Sequence, residues 1–351
     1  MLGQPVRFCT GGARSWPLSL DLATPSVASK FLTPTLTTGD GLDMERIAFI
    51  GLGNMGNSMA KNLIAAGFDV VGFDADSRTN QRSAETGIPV AADVVDAVTG
   101  ADVVITMLPN GDILRQVLLG AGAESGVLNY LAPGALVIDS SSIDVANCLA
   151  VHESAASAGI AFLDAPVSGG VGGAAAGTLT FMVGGDEAHV RRAWPLFEAM
   201  GKKVVRVGGP STGQAVKMCN QMIYASSLVA VAEAFSLADK LGVAPKMLFE
   251  VVTSSSGDCW AIRNSCPWPD VVEGGSAADE GFAPRFSSRL MSKDLRLATS
   301  AASNVGQPLP LTGKTVTFYE KVAVHEPALD VTAVIREINE AGASTATVVT
   351  R

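Results

Sequence analysis

Three features of the 351-residue chain predict an α/β protein, with a doubly wound, mostly parallel sheet followed by an all-α C-terminal domain. Short apolar runs alternate with segments of helical period from residue 46 to about residue 208. One of those runs passes through a glycine-rich turn directly into a helix. Beyond residue 209 the strand signal stops and long helical patterns take over.

The first strand is the apolar run 47–50, which leads into Gly51-Leu52-Gly53-Asn54-Met55-Gly56. Met55, Met59, Leu63 and Ile64 then recur at helical spacing. In this pattern Gly51 permits a tight turn and Gly53 lets the backbone approach a pyrophosphate. Gly56 lets the helix that starts near Asn54 pack close to the strand. Free N–H groups and the helix dipole at that point suit an anion without a basic side chain. With 37 glycines the spacing alone is weak, and residues 170–173 and 208–213 are also glycine-rich. The strand before and the helix after set the first motif apart.

A second strand, 69–73, ends at Asp74, 18 residues beyond Gly56. A carboxylate about 20 residues on is expected to accept the adenosine ribose hydroxyls, against the plainer reading of a solvated strand end. Ala75 and Asp76 follow, and the nearest arginine is Arg78, so NAD is expected over NADP. This makes the first domain Rossmann-type. Further strands are expected at 103–108, 135–139, 161–164, 178–183 and 203–207, with helices at 144–158 and 187–200 between them. Ligands of such sheets lie at the carboxyl ends of the strands. Two ends are informative, Leu108-Pro109 and Asp139-Ser140-Ser141-Ser142, although Pro109 also reads as the first residue of a helix.

Residues 214–241 form one long apolar helix without proline, expected to be covered nearly all round by other helices or a partner subunit. Helices follow through Val251, at 288–303 and at 310–324, while the Thr/Ala-rich residues 326–351 read as a fraying tail. The expected organisation is therefore an extension at 1–43, a dinucleotide-binding domain at 44–208, a helical substrate and dimerisation domain at 209–325 and a tail at 326–351.

Hydrophobic content of 48% and charged content of 17% describe a globular chain. A net charge of −9 argues against a nucleic-acid partner. Five cysteines without a C-x-x-C pair read as reduced thiols, and three scattered histidines give no metal-like cluster, so no metal is expected. No apolar stretch approaches 18 residues, so no membrane span is expected. Residues 1–43 carry Arg7, Arg14 and Lys30 against Asp21, Asp40 and Asp43. Their acid-free first 20 residues suit a transit peptide and the mitochondrial matrix. The later acids suit a disordered tail or upstream start, and with it a cytoplasmic protein.

Three clusters outside the glycine turn carry chemistry. Residues 164–173, Asp-Ala-Pro-Val-Ser-Gly-Gly-Val-Gly-Gly, close a strand and offer the Ser168 hydroxyl with the unobstructed N–H groups of Gly169 and Gly170. They form either a nest for a substrate carboxylate or a flexible loop. Lys217, near the start of the long helix, is the one charge between Arg206 and Glu233. A lysine among apolar residues either snorkels to solvent or is buried, and burial disfavours its charged form and suits it to acid/base work. Asn220 shares its face three residues on. Lys293-Asp294 reads by itself as a solvated helix face, and Trp260 as a core residue.

Taken together, and in this order, the stretches 50–56, 138–144, 164–173, 179–185, 213–220, 255–260 and 290–295 resemble the β-hydroxyacid dehydrogenase family over about residues 46–325. The resemblance implies NAD-dependent oxidation of a small 3-hydroxyacid to its semialdehyde, with Lys217 as acid/base. It implies Ser168, Gly169 and Gly170 as the substrate anchor and Asn220, helped by Asp294, at the reacting end. Leu108, Pro109, Ser142 and Lys293 would touch the dinucleotide. Some relatives carry a second Asn where this chain has Gln221. The 255–260 stretch favours 3-hydroxyisobutyrate, an intermediate of valine degradation. Reduction of tartronate semialdehyde, succinic semialdehyde or glyoxylate is the alternative, and a non-catalytic NAD-binding module a more distant one. The family also implies a homodimer or homotetramer built through the helical domain.

Overall fold

The computed structural model describes residues 45–340 except Ala123. The expected extension 1–43 lies outside the described residues. In chain order the strands of the first half are β1 (Arg46–Ile50), β2 (Asp69–Phe73), β3 (Val103–Thr106), a two-strand ribbon of β4 (Gly120–Ala121) and β5 (Glu124–Ser125), β6 (Leu136–Asp139), β7 (Ala161–Asp164), β8 (Val167–Ser168), β9 (Leu179–Gly184) and β10 (Gly201–Gly208). The helices between them are α1 (Asn54–Ala65), α2 (Ser77–Glu85), α3 (Val94–Val98), α4 (Gly111–Leu119), α5 (Val145–Ser157), α6 (Gly170–Ala175) and α7 (Glu187–Met200).

The main sheet has the order β10-β9-β7-β6-β3-β1-β2. Strands β2, β1, β3, β6 and β7 pair in parallel. At the other edge β9 and β10 are parallel to each other, while β9 runs antiparallel to β7. Strands β1, β3, β6 and β7 are mainly apolar and buried because both faces are covered, whereas the edge strand β10 carries exposed Lys202, Lys203 and Arg206. In β1, Ile47 and Phe49 enter the core shared with α1 and α7, whereas Ala48 and Ile50 enter the core under α3, α4 and α5. The same alternation recurs in β3 and β6. All five parallel strands thus deliver their carboxyl ends to one edge, where the predicted site residues cluster.

The strand expected over 103–108 stops at Thr106, because Thr106 Oγ1 donates to the buried Asp139 carboxylate and Leu108 N–H turns away to Ser141 Oγ. Within the glycine-rich 164–173 stretch the chain forms β8 and the short helix α6 rather than an open loop.

The second half is helical: α8 (Thr212–Lys240), α9 (Pro245–Thr253), α10 (Trp260–Asn264), α11 (Ser288–Asn304) and α12 (Pro310–His325). Both halves belong to one compact unit that starts at Met44. The N-cap of α8, Ser211, has a left-handed backbone (φ 64°) and no side-chain cap bond. The cap comes instead from the end of β7. Asp164 Oδ1 accepts the Ser211 N–H at 2.9 Å, and Oδ2 accepts the Gln214 N–H at 3.1 Å. Such acceptors satisfy the orphan N–H groups of the first turn and complement its dipole.

One face of α8 packs Ala225, Leu228, Ala232 and Phe235 against α10, α11 and α12. Each large side chain so buried contributes about 1.5–3 kcal/mol. The opposite face keeps Ile223, Leu237 and Leu241 60–71% exposed, so the chain's own helices do not cover α8 all round. Contrary to the sequence expectation, α8 is long and apolar enough to cross a membrane by length and composition. Half of its apolar window is buried inside the protein. The expected tail also needs correction. Residues 331–340 are helical, and Val331, Val334 and Ile335 join the core around Tyr319, with Asp330 receiving the Arg285 and Phe286 N–H groups. Ordered structure therefore extends to residue 340, and 341–351 lie outside the described residues.

Candidate active site

At the end of β1, Gly51 has φ +97°, and a Cβ there would stand 2.3 Å from the Met107 carbonyl oxygen. A Cβ on Gly56 would strike the Gly51 carbonyl oxygen at 1.9 Å. Gly53 behaves differently. Its φ of −61° suits any residue, and nothing lies within 4 Å of where its Cβ would be. The chain itself does not need glycine at 53; a molecule lying close over the backbone does. Helix α1 starts there with no side-chain cap and no acid in its first turn, which leaves its positive end to an outside anion. These residues fit a dinucleotide pyrophosphate. Leu52 is buried, Asn54 exposed and Met55 half-buried along the same turn.

Asp74 stands at the tip of β2 beside that turn. Its Oδ2 accepts the Leu52 N–H at 2.8 Å and its Oδ1 the Asp76 N–H at 2.9 Å. Arg78 is exposed and pairs with Asp76 at 3.7 Å. Asp76, the N-cap of α2, is held below its usual range first of all by the Arg78 N–H.

At the end of β6, Asp139 is fully buried. Its Oδ1 accepts from Ser141 Oγ at 2.5 Å and Thr106 Oγ1 at 2.7 Å, while Oδ2 has no hydrogen-bond partner. Burial pushes its carboxyl up to about 6, opposed by the bonds from Ser141 and Thr106. Ser141 Oγ in turn accepts the Leu108 N–H at 2.8 Å, so one buried carboxylate organises both loops that were expected to touch the cofactor.

Lys217 projects from the second turn of α8 into a small pocket walled by Ser142, Ile143, Gln214, Gln221 and Asp294. It does not snorkel: the residue is 8% exposed, and Nζ donates to the Val167 carbonyl oxygen at 2.8 Å, one residue before Ser168. Burial pulls its pKa below the ordinary lysine value, with Asp294 opposing and Lys293 reinforcing the shift. Asp294, from α11, is also buried. Its Oδ2 accepts from Gln221 Nε2 at 2.9 Å, and its Oδ1 lies 3.6 Å from Lys293 Nζ. Lys293 is half-buried rather than a solvated-face residue. It reaches across to the carbonyl oxygens of Pro109 (3.1 Å) and Ser142 (2.8 Å).

The structure brings Lys217, Asp294, Lys293, Ser142, Leu108 and Pro109 together, next to the Gly51 turn through Met107 and Leu108. Gly169 and Gly170, beside Ser168, both have positive φ, a backbone that favours glycine and leaves their N–H groups without side-chain obstruction. Asn220 does not reach the pocket. It is exposed, with Nδ2 donating to Gln221 Oε1 at 3.1 Å, and Gln221 takes the inward position four residues after Lys217. The sequence reading gave Gln214 no role and noted Gln221 only as the place where some relatives carry a second Asn, though both sit at helical spacing from Lys217. Trp260 is not a core residue; it is 61% exposed, and its ring stands edge-on to Tyr224 at 5.3 Å.

The fold also gathers Cys148, His152 and Asp164, whose donor atoms lie within 4.8 Å of one another, a cluster not visible in the sequence. Both Asp164 oxygens already hold the start of α8, and Oδ1 shares a 2.9 Å hydrogen bond with His152 Nε2.

Comparison with known proteins agrees with this geometry. Residues 46–209 match the model of the NAD binding domain of 6-phosphogluconate dehydrogenase. Residues 211–338 match that of the NAD-binding domain of NADP-dependent 3-hydroxyisobutyrate dehydrogenase. A probable 3-hydroxyisobutyrate dehydrogenase of Mycobacterium tuberculosis is 46% identical over 295 residues, 84% of this chain and 98% of that protein. The chain belongs to the β-hydroxyacid dehydrogenase family. Another member, the NAD-dependent L-serine dehydrogenase of Pseudomonas aeruginosa, is 41% identical over 79% of this chain and 91% of its own. The solved M. tuberculosis 3-hydroxyisobutyrate dehydrogenase with L-serine superposes with a TM-score of 0.79 at 45% identity, covering 84% of this chain and 99% of that one. The protein is therefore a nicotinamide-dinucleotide-dependent hydroxyacid dehydrogenase, an oxidoreductase acting on a small molecule.

Proposed function

We propose that this enzyme oxidises 3-hydroxyisobutyrate to methylmalonate semialdehyde, with NAD preferred over NADP and Lys217 as the acid/base, as a step of valine degradation. The observation that carries the reading is the buried Lys217 amine, anchored on Val167 and facing the Gln221–Asp294 pair.

In this mechanism the Ser168 hydroxyl and the Gly169 and Gly170 N–H groups hold the substrate carboxylate and direct its hydroxyl toward Lys217 Nζ. The neutral amine, favoured by burial, takes the hydroxyl proton at Nζ while Val167 O fixes its direction. Gln221 and Asp294 orient the reacting oxygen, and in the reverse direction Lys217 returns the proton. When bound, the nicotinamide supplies the hydride acceptor. Ser142, Pro109 and Lys293 line its place, and Asp74, without an adjacent cation, favours a ribose free of 2′-phosphate.

L-Serine is the second reading, favoured by the P. aeruginosa relative's name and by the serine-bound M. tuberculosis structure. It differs from 3-hydroxyisobutyrate in bearing an ammonium where the other has a methyl, and the Asp294 carboxylate is the pocket group that would accommodate it. A panel of 3-hydroxyacids, L-serine and semialdehydes, scored by kcat/KM at 340 nm with each dinucleotide, tests the assignment. A higher value for 3-hydroxyisobutyrate with NAD supports it; preference for serine, glyoxylate or NADP replaces it.

We also propose a homodimer or homotetramer, supported by the uncovered apolar face of α8, and a cytoplasmic location. Sedimentation and mass spectrometry of the mature N-terminus test the two, with cleavage near residue 43 pointing instead to the mitochondrial matrix.

A further inference from the structure

Gln214 is 1% exposed and lies three residues before Lys217 on α8. Its amide spans the junction between the helical half and the end of β6. Nε2 donates to the Ser141 carbonyl oxygen at 2.8 Å, and Oε1 accepts the Ile143 N–H at 3.1 Å. Its own N–H is fixed by Asp164, so the residue is held at both ends. The carbonyl between those two contacts, that of Ser142, is taken by Lys293 from α11. Residues 141–143 are thus stapled at three successive positions by groups from the helical half.

Of these staples, Gln214 is the one on the helix that carries the amine. A planar amide suits a neighbouring C=O and N–H pair, and no other side chain of that length offers both donor and acceptor without first taking up a proton. We propose that Gln214 is a positioning residue, which sets the distance between Lys217 Nζ and the Ser141–Ile143 loop on the cofactor side. It acts through the backbone it holds, not on the substrate. The inference rests on the dehydrogenase reading with Lys217 as acid/base, and goes beyond it by naming what keeps the two halves of the site in register. A misplacement of about 1 Å costs roughly 100-fold in rate, so a single inward amide is enough to matter.

The test compares the full-length parent with Gln214→Met, which keeps length and burial but removes both bonds, and Gln214→Glu, which keeps the acceptor for Ile143 and loses the donor to Ser141 when ionised. Thermal midpoint and backbone amide exchange of 140–143 are measured on free protein, the NADH dissociation constant by fluorescence, and kcat and KM at 340 nm. Expected for Gln214→Met are a 10- to 100-fold drop in kcat, NADH affinity and hydroxyacid KM within about threefold of the parent, and faster exchange confined to 140–143. Gln214→Glu should lose less than Gln214→Met relative to the parent, and recover as pH falls and its carboxyl regains a proton for Ser141. A Gln214→Met enzyme with parental kcat overturns the proposal and leaves the function intact. So does a loss of kcat that follows a general loss of fold or NADH affinity. If Gln214→Met does not fold, a Gln214→Glu enzyme whose activity relative to the parent is flat with pH overturns it. A parent that oxidises no hydroxyacid overturns both.

Discussion

Lys217 Nζ and the Val167 carbonyl oxygen, 2.8 Å apart, join α8 to β8, the strand that leads into Gly169 and Gly170. The bond holds a buried amine beside the Ser168–Gly170 turn. In the proposed mechanism, proton acceptor and carboxylate anchor therefore sit a fixed distance apart before any substrate arrives.

Lys217→Ala should lower kcat by about 100- to 10,000-fold, the usual worth of general acid/base catalysis, with NADH affinity little altered. Because burial lowers the lysine pKa, the oxidation rate of the parent should rise with pH and level off at a midpoint below 10.5, as the amine loses its proton. Rate profiles and fluorescence titrations of parent and variant check both statements.

Gln221, not Asn220, should matter for turnover. Removing a hydrogen-bonding side chain from a buried polar site costs about 1–3 kcal/mol, so Gln221→Ala should lose roughly 10- to 100-fold in kcat/KM. Asn220→Ala, on the exposed side, should stay within about twofold. Steady-state kinetics of the two single variants decide between the residues.

Asp139 should make stability pH-dependent in the direction opposite to a paired carboxylate. Its folded pKa of about 6 lies above the ordinary 3.8, so the folded state holds an extra proton between those values. Stability from this group is complete below about pH 4 and falls as pH rises through 6. The stability of Asp139→Asn relative to the parent should therefore grow from pH 4 to pH 7, by roughly 3 kcal/mol at most. Urea unfolding at a series of pH values measures it.

Gly51 and Gly53 should fail in different ways. Gly51→Ala puts a side chain against the Met107 carbonyl in a strained backbone and should destabilise the protein by at least about 1–3 kcal/mol. Gly53→Val has room and an ordinary backbone, so it should keep the thermal midpoint within a degree or two while weakening dinucleotide binding tenfold or more. Calorimetry with and without NAD separates the two.

The sheet was legible in the sequence because strands buried on both faces leave uninterrupted apolar runs, and Ile47 to Ile50 has no polar residue to blur the signal. The Lys217 cluster was legible because an isolated charge in an apolar helix has few places to go. The inward residue beside it was not. Positions three and four residues on both lie near the same face, and only the packing of α11, through Asp294, selects Gln221. Residues 331–340 were missed because the Thr/Ala content of the whole 326–351 segment masked Val331, Val334, Ile335 and Ile338, which recur at helical spacing and pack around Tyr319. The Gly51 turn, in contrast, is local geometry that a sequence states directly.

The acid at 164 completes a helix whose first residue comes 48 positions later, so recombination at the junction near residue 209 separates that helix from its counter-charge. A chimera that grafts this C-terminal half onto a relative's sheet domain inherits this dependence. It gains a properly started helix where the donor sheet ends in the same carboxylate, and a frayed one, with its amine astray, where that strand ends in anything else.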